Sequence, residues 1–96
     1  MIRVTVQTIG LLKSLIGQGE LVVRLPDDGT VADVLASLSA SYGRQVAQHM
    51  EDPGEAAVHP PLRVMVNGRD IGVLGGRQAG LSDGDVILVL TPIAGG

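Results

Sequence analysis

Three short stretches of the chain are predicted to be strands: Ile2–Thr8, Glu20–Leu25 and residues 62–66. Apolar and polar residues alternate along the first and the third, which predicts that each places one face on a core. A period of two sends successive side chains to opposite faces of a sheet, so half of each stretch should be buried. The stretch Val86–Leu90 is apolar at every position. Such a run is typical of a central strand that is buried on both faces.

Between the second and third stretches, apolar residues recur at spacings of three and four, which predicts one main helix. Thr30 and Asp33 stand where the two members of a capping box would be, and Gly43 marks the expected end. The apolar stripe consists of Val31, Val34, Leu35, Leu38 and Tyr42. A helix with one such stripe should lie across the sheet and cover the core.

Two connections carry weaker patterns. Residues 10–17 are apolar between two glycines and are too few for a stable independent helix, so a packed loop or a single turn is expected. Residues 44–61 are interpreted as a variable connection. Its first part can support a second short helix, which Pro53 and the following prolines would interrupt.

Turn chemistry follows the third strand. Asn67 and Gly68 form the pair that tolerates positive φ in a tight hairpin turn, and residues 69–71 are expected to be a short return strand. The glycine-rich residues 72–80 predict an irregular segment, with Val73 and Leu74 tucked under the sheet.

The order of these elements predicts an α+β fold of the β-grasp (ubiquitin-like) type, in which a mixed sheet wraps round one main helix. The first and last strands should be parallel neighbours in the middle of the sheet. Residues 1–91 are expected to form this domain, and residues 92–96 a flexible C-terminal tail that leaves the sheet's centre.

Composition excludes several classes of function. The chain has 96 residues, a formal net charge of -3 and seven scattered basic residues, which argues against a nucleic-acid surface. It has no cysteine, so a disulfide framework, a cysteine metal site and a thiol nucleophile are excluded. His49 and His59 lack further ligands at metal-binding spacing, and no metal or bound cofactor is expected. No stretch is long and apolar enough to span a membrane, and a cytoplasmic protein is expected.

The C-terminal tail is poor in side chains and is where function is expected. Gly95 and Gly96 lack Cβ atoms, so they could enter a narrow active site of another protein. Pro92 fixes one backbone angle near the root of the tail and should favour an extended path. The alternative is a C-terminal end that is disordered and has no function. The predicted buried strand directly before the tail argues against this alternative.

Three segments together resemble the MoaD/ThiS family of ubiquitin-like sulfur carriers. They are residues 66–68 (Val-Asn-Gly), residues 81–86 (Leu-Ser-Asp-Gly-Asp-Val) and residues 91–96 (Thr-Pro-Ile-Ala-Gly-Gly). The resemblance covers the whole chain and is closest in plan to the small subunit of molybdopterin synthase. It implies a carrier that works with partner enzymes and is not itself an enzyme.

The resemblance also implies the chemistry of the tail. An adenylating enzyme of the ubiquitin-activating type would use ATP to activate Gly96, with Gly95 as the slim residue behind it. A sulfur donor would then convert Gly96 to a thiocarboxylate. The sulfur would pass to a pterin precursor in a large catalytic subunit, for the molybdenum or tungsten cofactor.

Partner contacts are expected along the arm and on the sheet beside it. Several family members carry Phe on their partner-facing sheet surface, where this chain has Gln7 and Leu90. These two residues and the arm residues Thr91, Pro92, Ile93 and Ala94 are the predicted partner-binding residues. The sequence leaves open whether the sheet surface near Gln7 and Leu90 is core or a docking surface.

Three alternative functions use the same sequence features. A carrier for cysteine or thiamin synthesis would use the same tail with a different docking surface. A ubiquitin-like modifier would join Gly96 to lysines of other proteins. A β-grasp binding module would have a tail without chemistry.

Overall fold

The mixed sheet forms because the alternating segments pair in an order that places the fully apolar strand in the middle. The computed structural model describes residues 1–50 and 62–91. The elements in chain order are β1 (Ile2–Thr8), α1 (Leu11–Ile16), β2 (Glu20–Leu25), α2 (Val31–Tyr42), α3 (Arg44–Met50), β3 (Arg63–Val66), β4 (Arg69–Asp70) and β5 (Val86–Leu90). Short 3-10 turns occupy Ile71–Val73 and Gly76–Gln78.

The sheet has the order β2-β1-β5-β3-β4. β1 and β5 are parallel, with Thr8 opposite Val89, whereas the other neighbours are antiparallel. This mixed topology round one main helix is the predicted β-grasp fold, which is confirmed. The central position of β5 and its parallel pairing with β1 are confirmed as well.

One face of the sheet packs against the helices and forms the core. The inward side chains of β1 and β5 are nearly inaccessible, with Val6, Ile87 and Val89 at 0% exposure. The helix α2 contributes its predicted stripe of Val31, Val34, Leu35 and Leu38, all buried. Because aromatic residues are almost absent, branched aliphatic side chains fill this core. Within the described residues, no helix is long and apolar enough to cross a membrane.

The N-terminus of α2 has the expected cap. The Asp33 carboxylate accepts hydrogen bonds from the backbone N–H of Thr30 at 2.9 Å and from its hydroxyl at 3.3 Å. The N–H of Asp33 donates to the Thr30 carbonyl at 3.1 Å. A carboxylate in the first turn also lies favourably in the field of the helix.

The segment after β1 is more regular than its sequence predicts. Residues Leu11–Ile16 form a helix, α1, where a packed loop or single turn was expected. Leu12 and Ile16 lie one turn apart and are both buried, so packing on the core stabilises a helix too short to persist alone. Gly17, at φ 86°, ends it in the left-handed conformation, and its N–H donates to the Lys13 carbonyl at 2.8 Å.

Two further expectations need correction. β5 is not buried on both faces, because Val86, Leu88 and Leu90 are only half-buried on the side of the sheet away from the helices. Val73 does not tuck under the sheet, since it is 77% exposed, whereas its neighbour Leu74 packs on the core. The second short helix is confirmed as α3, in which Val46 and Met50 are buried.

Candidate functional site

The root of the C-terminal tail is held in the folded domain. β5 ends at Leu90, and Thr91 is only 8% exposed. Thr91 is buried at the end of the predicted domain, and its predicted contact with partners stays a prediction. The predicted roles of Pro92, Ile93, Ala94, Gly95 and Gly96 lie outside the described residues and stay predictions, as does the boundary between domain and tail.

Gln7 and Leu90, the two predicted partner-binding residues on the sheet, lie on the same face. Gln7 is opposite Leu88 in the parallel β1–β5 register, and Leu90 follows Leu88 by one alternation. Both are half-buried, and they point away from the core because Val6, Thr8 and Val89 beside them point inward. Their face is the one that no described helix covers. The face of the sheet that carries Gln7 and Leu90 is therefore a surface and not part of the core.

We call this surface the outer face. It consists of the outward residues of the five strands: Arg3, Thr5, Gln7, Glu20, Val22, Arg24, Arg63, Met65, Asp70, Val86, Leu88 and Leu90. Its middle is apolar. Leu88 lies between Gln7 and Met65 on the neighbouring strands, and Val22 is 60% exposed.

The sequence pattern missed Leu88 and Met65 as members of this surface. Leu88 was hidden because an unbroken apolar run was interpreted as a strand covered on both sides. A signal was nevertheless present. The polar outward positions of β1, such as Gln7, show that one side of that strand meets solvent, and its parallel neighbour β5 must share that side.

Charged side chains surround the apolar middle of the outer face. Arg3 and Arg24 are direct cross-strand neighbours, an arrangement in which like charges repel. Arg63 lies opposite Leu90, beside the root of the tail, and its guanidinium is 3.3 Å from the Asp70 carboxylate. A partner that offers carboxylates near the Arg3 and Arg24 pair would relieve the repulsion there.

Asp70 is fixed by two partners at the edge of the outer face. The N–H of Gly72 donates to its Oδ1 at 2.8 Å, and Arg63 donates to its Oδ2 at 3.3 Å. The hydrogen bond from Gly72, and then that from Arg63, lower the pKa of the Asp70 carboxyl below its ordinary value. Asp70 therefore remains ionised and holds Arg63 beside Leu90 at neutral pH.

The aspartates of the loop before β5 have structural roles. Asp83 accepts from the N–H of Arg3 at 2.8 Å, and Asp85 accepts from the N–H of Ser82 at 2.8 Å. Both aspartates therefore stabilise the loop before β5 through hydrogen bonds from backbone N–H groups. Among the described residues, no group of three or more His, Asp or Glu side chains is placed to hold a metal ion.

This arrangement suits recognition by another protein. An apolar surface with a charged border lies directly beside the point where the chain leaves the sheet at Thr91. A protein that docks on the outer face would have Leu90 within its contact area. The tail would start at the edge of that contact.

Comparison with known proteins supports such a role. The sequence model of the ThiS family matches residues 6–96. The small archaeal modifier protein 3 of Haloferax volcanii is 42% identical over 84 residues, which are 88% of each chain. Among solved structures, the small archaeal modifier protein 1 of Methanosarcina acetivorans superposes with a TM-score of 0.79 and 27% identity, covering 100% of this chain and 98% of that one.

A third similar protein was solved together with a partner. In the Amycolatopsis orientalis BexX/CysO complex, the matching chain is 27% identical, with a TM-score of 0.68 and coverage of 97% of this chain and 99% of that one. Two of these relatives are small archaeal modifier proteins, and the third is part of a complex of two proteins. The chain belongs to the ThiS family of ubiquitin-like proteins.

Proposed function

We propose that this protein is a sulfur carrier whose Gly96 is adenylated and then converted to a thiocarboxylate. The observation that carries the proposal is the position of the outer face. Its apolar residue Leu90 directly precedes Thr91, the last residue before the tail. An activating enzyme that binds the outer face would thus receive the Gly-Gly end without a second binding site on the carrier.

The tail can reach an active site while the domain stays outside it. Residues 92–96 span at most about 18 Å when fully extended, at up to about 3.6 Å per residue. Gly95 and Gly96 add no side-chain width to the end of the arm. The partner can then supply all the catalytic groups, and the carrier supplies only its terminal carboxyl group.

The proposed reaction has two steps. The terminal carboxylate is ionised at neutral pH and is a poor electrophile, so it first attacks the α-phosphorus of ATP and releases pyrophosphate. Sulfide-level sulfur (HS⁻) released by a donor then attacks the carbonyl carbon of the mixed anhydride, a C–S bond forms, the C–O bond to AMP breaks, and one proton passes to solvent. The product is a thiocarboxylate on Gly96. The route needs no thiol from this chain, which has no cysteine.

The proposed recipient is the pterin precursor of the molybdenum or tungsten cofactor, held by a large subunit of the molybdopterin synthase type. Cysteine and thiamin synthesis are the alternative recipients. They are distinguished by supplying one preparation of the thiocarboxylated chain to each candidate acceptor enzyme and following loss of sulfur from Gly96. The cytoplasm is the proposed location for all three.

Protein modification is the second candidate function. It is favoured by the 42% identity to the small archaeal modifier protein 3. In that case the activated Gly96 carbonyl would be attacked by an amine of another protein. Conjugates of higher mass in cells, lost on removal of Gly96, would distinguish this function from sulfur transfer alone.

Intact mass spectrometry tests the sulfur-carrier proposal. The purified chain is incubated with an activating enzyme, ATP and a sulfur source, beside a matched chain that lacks Gly96. We expect a mass gain that corresponds to one sulfur in place of one oxygen, in the full chain alone. The same gain in the truncated chain, or none with several activating enzymes that are active on their own carriers, would overturn the proposal.

A further inference from the structure

The strand β2 forms one edge of the sheet, and the part of the chain that the structure describes places no strand beyond it. An edge strand leaves alternate backbone N–H and C=O groups unpaired, and proteins commonly protect such edges with proline, lysine or a very short strand. β2 has six residues, Glu20–Leu25, and contains neither proline nor lysine. At the opposite edge, β4 has only two residues. β2 is therefore the long open edge of this sheet.

The hydrogen bonds to β1 show which backbone groups of β2 face outward. The N–H of Thr8 donates to the Gly19 carbonyl at 2.9 Å, and this pair continues the β1–β2 register by one residue. In an antiparallel pair, only alternate residues direct their backbone groups to the neighbouring strand. The odd-numbered residues of β2 thus face β1. Glu20, Val22 and Arg24 direct their N–H and C=O groups to the open edge.

The side chains of these three residues form a charge pattern that is complementary to itself. All three are exposed and belong to the outer face. Val22, at 60% exposure, lies midway between the acidic Glu20 and the basic Arg24. When the strand is turned round to run antiparallel to itself, the acid of one strand meets the base of the other. The open edge therefore fits a second copy of the same edge.

We propose that β2 pairs antiparallel with β2 of a second copy of this chain, centred on Val22. Val22 then lies opposite Val22 of the second copy, and Glu20 of each copy lies opposite Arg24 of the other. Each of these pairs is of the hydrogen-bonded type and exchanges two backbone hydrogen bonds. Two ion pairs flank one apolar contact on the outer face. The sheets of the two copies become one continuous sheet.

Charge selects this register over the neighbouring ones that keep the same backbone hydrogen bonding. A pair centred on Arg24 places two guanidinium groups opposite each other, and a pair centred on Glu20 places two carboxylates opposite each other. Like charges directly opposite destabilise a strand pair, whereas opposite charges stabilise it. Arg24 already lies opposite Arg3 on β1. The register centred on Val22 gives Arg24 an acidic neighbour on its other side, which offsets that repulsion.

The contact joins one strand of each copy and is small, so the association should be weak and reversible. We expect a dissociation constant on the order of 0.1 mM, as for the smallest specific interfaces. The pairing does not depend on the proposed sulfur chemistry. It can be measured on the purified chain alone.

Sedimentation equilibrium and amide hydrogen exchange measure the association and locate it. With samples from about 10 µM to about 1 mM, we expect the wild type to change from monomer to dimer. The Val22 amide should gain about fivefold protection over this range, because it becomes bonded only in the dimer. The Val23 amide faces β1 and should be protected at every concentration.

Reversing one charge at a time tests the register. Glu20→Arg places two arginines opposite each other, and Arg24→Glu places two glutamates opposite each other. Each variant should associate with itself at least about tenfold more weakly than wild type. A mixture of the two variants should associate as tightly as wild type, because every charged pair then joins opposite charges. Both variants keep a negative formal net charge, since the wild-type value of -3 rises or falls by two, so overall attraction does not explain the mixing.

Arg44→Glu is the matched control, because it makes the same charge change as Arg24→Glu at an exposed position on α3, away from the edge. It should associate like the wild type. Circular dichroism checks that each variant is folded. A wild type that stays monomeric at about 1 mM would overturn the inference and leave the edge to another partner. Undiminished self-association of Glu20→Arg, or no association between the two mixed variants, would overturn it as well.

Discussion

The Nδ2 of Asn67 donates a hydrogen bond to the Oδ1 of Asp85 at 3.0 Å and thereby joins the β3–β4 turn to the loop before β5. The Oδ1 of Asn67 also accepts from the N–H of Val86 at 2.9 Å, and its own N–H donates to the Val86 carbonyl at 2.8 Å. Asp85 in turn accepts from the N–H of Ser82 at 2.8 Å. These contacts fix the start of β5, the strand whose far end carries the tail.

Replacing Asn67 tests this connection. Asn67 has φ 51°, so alanine would lose both side-chain hydrogen bonds and would also occupy an unfavourable left-handed conformation. We expect Asn67→Ala to lower the free energy of unfolding by about 3–4 kcal/mol, from about 1 kcal/mol for each of the two hydrogen bonds and about 1–2 kcal/mol of backbone strain. Asn67→Gly should cost less, because glycine accepts this conformation. Urea denaturation measures both, and equal losses would show that strain contributes nothing.

The turn itself could be predicted from the sequence, but its hydrogen-bond partners could not. The pair Asn67-Gly68 has the backbone preference of a tight hairpin turn, and that preference is local. The contact from Asn67 to Asp85 depends on β3 and β5 becoming neighbours, which the order of elements suggests only through the whole fold. Local chemistry therefore predicted the position of the turn, and topology determined its partner.

The candidate site, too, could be predicted from the sequence only in part. The chemistry of Gly95 and Gly96 was inferred from the family resemblance, whereas their residue type alone indicated only an end slim enough to enter an active site. The outer face was only half-predicted. Gln7 and Leu90 were identified, whereas Leu88 and Met65 were recognised only from the register that places them side by side. Burial of β1 and β5 on one face and partial exposure on the other is a property of the assembled sheet.

The cap of α2 gives a second stability prediction. Asp33→Ala removes the carboxylate that accepts from the N–H and hydroxyl of Thr30. We expect a loss of about 1 kcal/mol in the free energy of unfolding, from an exposed hydrogen bond and the favourable interaction with the helix dipole. Asp33→Asn should retain part of this, since its amide oxygen still accepts. Chemical denaturation would contradict the role of the cap if alanine and asparagine were both neutral.

The low pKa of Asp70 predicts how stability changes with pH. Its folded-state pKa lies below the unfolded value, so ionised Asp70 stabilises the fold above the unfolded pKa of about 3.9. That contribution disappears as pH falls through the lower folded value. The difference in unfolding free energy between wild type and Asp70→Asn should thus be full at pH 6 and shrink below about pH 4.

Asp28→Asn is the control for this titration. Asp28 is an exposed turn residue with no hydrogen-bond or ion-pair partner among the described residues. Its replacement should produce a small difference from wild type that does not follow the Asp70 profile. Denaturation at several values of pH between 2.5 and 6 measures both variants. A constant difference for Asp70→Asn across this range would show that its charge does not stabilise the fold.

The outer face can be tested by placing a charge at its centre. Leu88 is half-buried between Gln7 and Met65, so Leu88→Arg should unfold little of the domain while introducing a cation into the contact area. We expect the KM of the activating enzyme for the carrier to rise at least about tenfold, equivalent to about 1.4 kcal/mol of lost binding. Val73→Arg is the control, because Val73 is 77% exposed and lies outside the outer face. Steady-state adenylation assays compare the two variants, with circular dichroism to check folding. If both variants are folded and have equal KM values, Leu88 does not belong to the contact area, and the activating enzyme binds elsewhere on the domain.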